Sequence, residues 1–455
     1  MSEQPPIESE ASCDAGAPEE AMAPFVEPVD SPTHCPYRQA VLLQQALASD
    51  KMRVAFFLGA GCPMAIRVPD GDTTKPLIPD VEGLTKYVIQ SLSTSPEHKT
   101  SFASVLQRLG DNGHPNVEEI LSQVRALYEV AGTLGIDGLT KEMLNKLDAA
   151  ICRATTEILQ VLLPPDDTPY HRLATWIGAI RRAYPVEIFT SNYDLLVEQA
   201  LEQQRVPYFD GFVGSDRAFF DLPSMEQDKL PSRWARLWKV HGSVNWWRTP
   251  AGRVERRAKA ENEDGQQMIY PSHLKYWESR RMPYFAMLDR LKAFLAQGQG
   301  VLVTCGYSFS DQHLNEVILQ GLSGNSTAVC FGLLWGDRAK ADDAVKHGHA
   351  NLSLLAADGA VLGTIDRDWR SDERVEHPLH GLAAQAVELK GRTEAPSDRC
   401  KFLLGDFKSF GEFLARQLAQ REAHQARDVA IEYLGEILAR QLAQRERSEG
   451  DNDAA

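Results

Sequence analysis

Val54-Ala55-Phe56-Phe57-Leu58-Gly59-Ala60-Gly61 is the stretch that decides the fold. Five consecutive apolar residues are short for a helix and suit a strand covered on both faces, as in parallel sheets. The Gly-Ala-Gly that follows is the small-residue turn by which such a strand passes into a helix, and it lets a pyrophosphate approach the backbone. Three more apolar runs end in a comparable way. Residues 186–189 lead into Thr190-Ser191-Asn192-Tyr193-Asp194, residues 237–240 into His241-Gly242-Ser243, and residues 301–304 into Cys305-Gly306-Tyr307-Ser308-Phe309-Ser310-Asp311. Ligands of open α/β sheets bind beyond the carboxyl ends of the strands. The four ends are therefore expected to form one site on a Rossmann-like, mostly parallel sheet.

Each end carries a definite chemistry. Asn192 and Asp194 lie two apart after a strand, so both side chains can face the same way. Asn192 reads either as a cap for the next helix or as an amide that orients a water or a ribose hydroxyl. Asp194 can stabilise cationic character at an anomeric carbon or bind a carboxamide. His241 is either a structural imidazole or a proton acceptor suited to neutral pH. Ser308 suits a phosphate or ribose hydroxyl, and Asp311 suits a helix cap. A hydride-transfer fingerprint, Gly-x-Gly-x-x-Gly, is incomplete because Cys62, Pro63 and Met64 follow Gly61, and a Gly-Lys-Ser/Thr phosphate loop is missing.

In this order the four segments resemble the sirtuin family, specifically its bacterial sirtuin-like branch, over residues 54–364. That family joins a Gly-Ala-Gly loop, a Thr-x-Asn-x-Asp segment, a catalytic His-Gly and a late Gly-x-Ser. The resemblance implies Asn192, His241 and Asp194 as catalytic residues. It implies Gly59, Ala60, Gly61, Thr190, Ser191, Gly306, Tyr307, Ser308 and Asp311 as the residues that hold NAD. Two departures stand out: Pro63 occupies the family's serine position, and Val81-Glu82 follows Pro79-Asp80 where the deacylases have arginine.

The deacylases also carry a four-cysteine zinc module after the His-Gly. Here no cysteine lies between Cys152 and Cys305, so neither zinc nor another metal is expected. Water is then the expected nucleophile, and the expected function is an NAD glycohydrolase releasing nicotinamide and ADP-ribose. The alternatives are an NAD-dependent protein deacylase and a noncatalytic scaffold that binds NAD or ADP-ribose. The bacterial branch holds anti-phage effectors that deplete NAD on infection. That implies control by a homo-oligomer or by a partner such as a HerA-like ATPase or a short Argonaute.

Composition bounds the rest. The chain has 455 residues and a formal net charge of −15, which argues against nonspecific nucleic-acid binding. Arg253, Arg256 and Arg257 are a local basic patch or a solvated loop. No apolar run reaches the roughly 20 residues that span a bilayer, and no basic segment followed by an apolar core opens the chain. Seven scattered cysteines read as reduced thiols, with the cytoplasm as the expected compartment.

Residues 1–36, acidic and rich in Pro and Ala, are expected to be a disordered tail. Residues 37–380 form the expected NAD-binding catalytic domain, with a helical insertion at 85–163. Within the insertion Val117, Ile120, Leu121, Val124 and Leu127 make a helical stripe behind a capping Asn116. Residues 248–267 read as an exposed polar loop. Residues 400–447 are expected to be helical, and 448–455 a disordered tail. The nine residues from Leu414 to Glu422 recur word for word from Leu438 to Glu446, which suggests two helices packed as a hairpin or serving as an assembly surface.

Overall fold

The computed structural model describes residues 34–110, 115–133, 135–257, 266–269, 282–370, 381–389 and 400–452. Its central sheet has nine strands. Their spatial order is Ile365–Asp368, Gly359–Leu362, Leu352–Leu355, Ala328–Leu333, Gly300–Cys305, Arg53–Leu58, Glu187–Thr190, Ala235–Lys239 and Tyr208–Phe209. Neighbours are parallel except around Gly359–Leu362, which is antiparallel to both of its neighbours. The chain runs from Arg53–Leu58 outward through Glu187–Thr190 and Ala235–Lys239, then returns to start the other half with Gly300–Cys305. The strand order thus reverses between Arg53–Leu58 and Gly300–Cys305. This is the switch point at which open α/β sheets form a crevice.

Alternation along the first strand sorts the two cores. Phe56 packs edge-on against Trp176 at 5.4 Å and also meets Phe410. Phe57, pointing to the opposite face, meets Tyr307 at 4.8 Å. The Phe56 face is covered by helices Pro36–Ala48 and Pro169–Ala179 and by the start of Phe407–Asn452. Helices Tyr284–Ala296 and Gln312–Gly324 cover the other face.

Between the first two core strands, ahead of Pro169–Ala179, the insertion carries in order the helices Val81–Thr94, Lys99–Leu109, Val117–Val130 and Lys141–Leu159. Asp80 caps the first of them, accepting from the Gly83 N–H at 2.8 Å. Asn116 caps the third in a reciprocal box with Glu119. The expected stripe, from Val117 through Ile120, Leu121 and Val124 to Leu127, is buried.

Two expectations are corrected. Residues 248–267 are not simply an exposed loop. Gly242–Arg248, Val254–Arg257 and Gln266–Ile269 join Phe212–Val213 and Arg217–Phe220 in a five-stranded antiparallel sheet. Ion pairs make so charged a sequence compatible with a sheet. Arg256 meets Asp210 at 2.6 Å, and the buried Arg257 meets Glu255 at 3.0 Å. The same pairs neutralise two of the three arginines in the candidate basic patch.

The repeated segment does not fold back as a hairpin either, because a single helix runs over Phe407–Asn452. Its one interior glycine in the connecting stretch, Gly435, costs only about 1 kcal/mol in a helix and does not break it. Phe407, Phe410, Phe413 and Leu414 are buried, while Gln417 ties the helix down. Gln417 accepts from the Trp176 indole at 3.0 Å and donates to the Gln44 carbonyl at 2.9 Å.

The helix also enters the stretch read as a terminal tail, of which residues 453–455 lie outside the described residues. The acidic tail at 1–33 lies outside them too. Its expected boundary moves, since Pro36 already begins a helix and the His34 N–H donates to the Asp368 carbonyl. Among the described residues no helix is long and apolar enough to cross a membrane.

Candidate functional site

The four strand ends meet at the switch point. Asn192, Asp194, His241, Gly306, Tyr307, Ser308 and Asp311 line one cavity of about 490 Å³, with Ala60 and Ser191 beside them. The opposite wall comes from the insertion and its approach, with Ile78, Pro79, Val81, Leu84, Asn116 and Glu118. A second cavity of about 740 Å³ shares Ala60, Val81, Gly306, Tyr307 and Ser308 with the first. The two therefore adjoin as parts of one cleft. The larger part adds Gly61, Arg67, Trp335, Asp337, Lys340 and Lys408. Gly59 and Thr190 are buried behind the wall rather than in it.

Backbone contact shapes the switch point. The Gly59 N–H donates to the Cys305 carbonyl at 3.0 Å, Gly61 to the Gly306 carbonyl at 2.9 Å, and Cys62 to the Gly59 carbonyl at 3.0 Å. The first two of these N–H groups are thus spent on locking the first loop to the fourth, and the third closes the first loop on itself. The expectation that the Gly-Ala-Gly turn frees its N–H groups for an anion is corrected accordingly for Gly59 and Gly61. The close approach is what demands glycine: a Cβ on Gly59 would lie 2.4 Å from the Gly306 oxygen.

Asn192 is 9% exposed and does not cap the following helix. Its amide donates to the Gly59 carbonyl at 3.0 Å, and its N–H donates to the Thr190 hydroxyl. Thr190 in turn donates to the Leu58 carbonyl at 2.8 Å. The role of Thr190 is to fix the turn on which Asn192 stands. Asp194 accepts from the Leu196 N–H at 3.0 Å.

Lys239, 2% exposed, lies beneath the site. Its ammonium bonds the Asp194 backbone carbonyl and pairs with Glu198 at 2.9 Å. His241 faces Asp311 across 3.3 Å, while the same Asp311 caps helix Gln312–Gly324 through the His313 and Leu314 N–H groups. The tyrosine between Asn192 and Asp194 also takes part: the Tyr193 ring stacks on His241 with centroids 6.4 Å apart.

Burial pushes the Asp194 carboxyl up to about 6, against the Lys239 ammonium, which pulls it down. A carboxyl perturbed in this way inside a cleft marks a functional position. It also has a stability cost. Because the folded pKa lies above the unfolded one of about 3.9, the native state binds the proton more tightly. The associated stability is present below about pH 4 and lost as pH rises through about 6. Asp194→Asn is therefore expected to be more stable than wild type at pH 8, on the order of 2 kcal/mol, with the advantage shrinking toward pH 4. Urea denaturation across that range reads it; an equal gap at both ends would rule out a buried, ionising Asp194.

Sequence reasoning left out Glu118, Tyr193, Lys239, Trp335, Asp337, Lys340 and Lys408. Tyr193 and Lys239 were within the motifs themselves, but nothing in their spacing marks a partner. The others come from distant segments. Among the described residues no group of three or more His, Cys, Asp or Glu side chains is arranged to hold a metal ion.

A mostly parallel α/β sheet with a polar cleft at its switch point defines the class. Within it, residues 186–350 match the model of the SIR2-like domain. The matched segment contains the strand ends of Asn192, His241 and Gly306. Comparison with curated proteins finds no match. Among solved structures the chain is similar to one described as the structural basis for the mechanism and regulation of Sir2 enzymes. The identity is 12%, over 67% of this chain and 90% of that chain, with a TM-score of 0.32. It is also similar to two mutant Sir2 homologues in complex with ADP-ribose, at 13% and 14% identity. Each match covers 66% of this chain and 88% of that chain, with a TM-score of 0.30.

Proposed function

We propose that the chain is an NAD glycohydrolase that cleaves the nicotinamide–ribose bond and yields nicotinamide and ADP-ribose. The observation that carries this reading is the convergence of Asn192, Asp194 and His241 on one cavity wall. Loss of nicotinamide leaves cationic character on the ribose. A fixed carboxylate and a fixed amide oxygen stabilise that charge as it develops. His241 accepts a proton from a ribose hydroxyl or from the attacking water.

The second cavity suits the adenosine half. Trp335, 69% exposed, offers a stacking face, and the Asp337 carboxylate suits a ribose diol. Lys340 and Lys408 carry charge that suits phosphates. The shared residues Ala60, Gly306, Tyr307 and Ser308 would then stand beside the pyrophosphate. The sirtuin-like resemblance extends the proposal to an anti-phage effector in the cytoplasm, acting as a homo-oligomer or with a HerA-like ATPase or other defence partner.

One observation favours a second reading, a noncatalytic scaffold for NAD or ADP-ribose. The Asn192 amide nitrogen is already engaged by the Gly59 carbonyl, as a purely structural asparagine would be. Purified protein incubated with NAD and no peptide separates the readings. Chromatography is expected to show nicotinamide and ADP-ribose accumulating together in equal amounts. Binding of NAD without any nicotinamide, at protein concentrations high enough to drive assembly, would leave the scaffold.

A further inference from the structure

We propose that Glu118, brought to the cleft by the helical insertion, is a positioning residue for His241 and acts through Tyr193. The inference rests on the reading of His241 as the proton acceptor. It assigns to the insertion a part in the chemistry that the strand-end motifs do not contain.

The placement of Glu118 is rigid at its base. It is the second residue of helix Val117–Val130, whose N-terminus is held by the Asn116–Glu119 box. The Val117 N–H is also anchored to the Thr85 hydroxyl of the first insertion helix at 2.9 Å, and the Val117 side chain is fully buried. From that base Glu118 lines the same cavity as His241 and Asn192. Its Oε1 accepts from the Tyr193 hydroxyl at 3.0 Å.

Tyr193 is held at its other end as well. Its backbone carbonyl accepts from the Val244 N–H at 3.0 Å, on the strand that follows His241. The ring, 8% exposed, lies 29° from parallel to the His241 imidazole, within the range of ring contacts that contribute to packing. His241 is therefore held on its edge by Asp311 and on its face by Tyr193. A carboxylate acceptor makes the bond that fixes Tyr193 stronger than a neutral one would. With Glu118 gone, the tyrosine ring loses a charged contact that helps set its angle, and the imidazole loses support on that face.

A double-mutant cycle on the full chain tests this, with a structural readout beside it. Glu118→Ala and Tyr193→Phe are each expected to lower kcat for NAD cleavage about tenfold, the lower end for a hydrogen bond to a charged group. KM should stay within about threefold, and the double variant should be no slower than either single one. Glu118→Gln keeps a carbonyl acceptor and should recover most of the loss. The His241 ring resonances, assigned by their disappearance in His241→Gln, should shift in Glu118→Ala in the absence of any substrate.

Additive losses would overturn the proposal. So would a Gln variant as slow as Ala beside a fully active Tyr193→Phe, since Glu118 would then act on the substrate directly. Unmoved His241 resonances in Glu118→Ala would overturn it without reference to turnover. If the wild-type chain releases no nicotinamide, the hydrolase reading fails, and the resonance shift still decides the positioning role.

Discussion

Replacing His241 with alanine is expected to lower nicotinamide release from NAD by about 10²–10⁴-fold, the range for removal of a general base. Binding of ADP-ribose, measured by calorimetry, should change by only a few fold. The split follows from where the imidazole stands. It lies at the end of a core strand, its side chain 15% exposed, with Asp311 3.3 Å from Nε2. An imidazole held beside a carboxylate at the rim of the cleft is placed to exchange a proton with a bound substrate.

Asn192→Ala should also suppress turnover, by about 10²–10³-fold if its amide helps stabilise the developing charge. It removes in addition the bond to the Gly59 carbonyl, so its melting temperature must be read beside its rate. His241→Ala removes the ring's contacts with Asp311 and Tyr193 and should melt closer to wild type than Asn192→Ala. If it cleaves NAD at the wild-type rate, the imidazole is structural and the hydrolase reading loses its base.

The sequence made the central sheet legible for a physical reason. Its central strands are buried on both faces, so they appear as mostly apolar runs, and those that border the cleft stop at a glycine or polar residue. The five-stranded second sheet was not legible. Val254–Arg257 reads Val-Glu-Arg-Arg, and only the positions of Asp210 and Glu255 show why such a strand is stable. The C-terminal repeat suggested two helices, because each copy is amphipathic by itself, whereas helix continuity depends on the weak penalty of Gly435.

The cleft was legible only on its sheet side. Asn192, Asp194 and His241 could be placed on one wall, because strand ends of a parallel sheet share an edge. The other wall belongs to the insertion, and Glu118 reaches Tyr193 through tertiary packing that no local spacing records. Trp335 and Lys408 are hidden in the same way, since one follows a late strand and the other opens the C-terminal helix. Sequence reasoning also misjudged what the glycines do. It assigned Gly59 and Gly61 to a ligand, while their N–H groups are used to join two loops.

That junction leads to the largest expected effect on stability, in Gly306→Ala. Gly306 has φ +64°, and a Cβ placed there would lie 2.5 Å from the Cys62 nitrogen and 2.8 Å from its sulfur. Two costs add. An L-residue in the left-handed region costs about 1–2 kcal/mol, and forced overpacking costs about 1–3 kcal/mol more. The total, roughly 2–5 kcal/mol, is a large share of what holds a domain folded.

Gly71→Ala supplies the control. Gly71 has φ +61° and nothing within 4 Å of its Cβ position, so that variant carries the conformational cost alone. The difference between the two in urea denaturation measures the loop contact itself. Gly306 borders both parts of the cleft, so forcing the loops apart should also weaken ADP-ribose binding, which Gly71→Ala should leave as it is. If the two variants lose the same stability, the Gly-Ala-Gly loop is not locked against Gly306, and its N–H groups return to being candidates for the pyrophosphate.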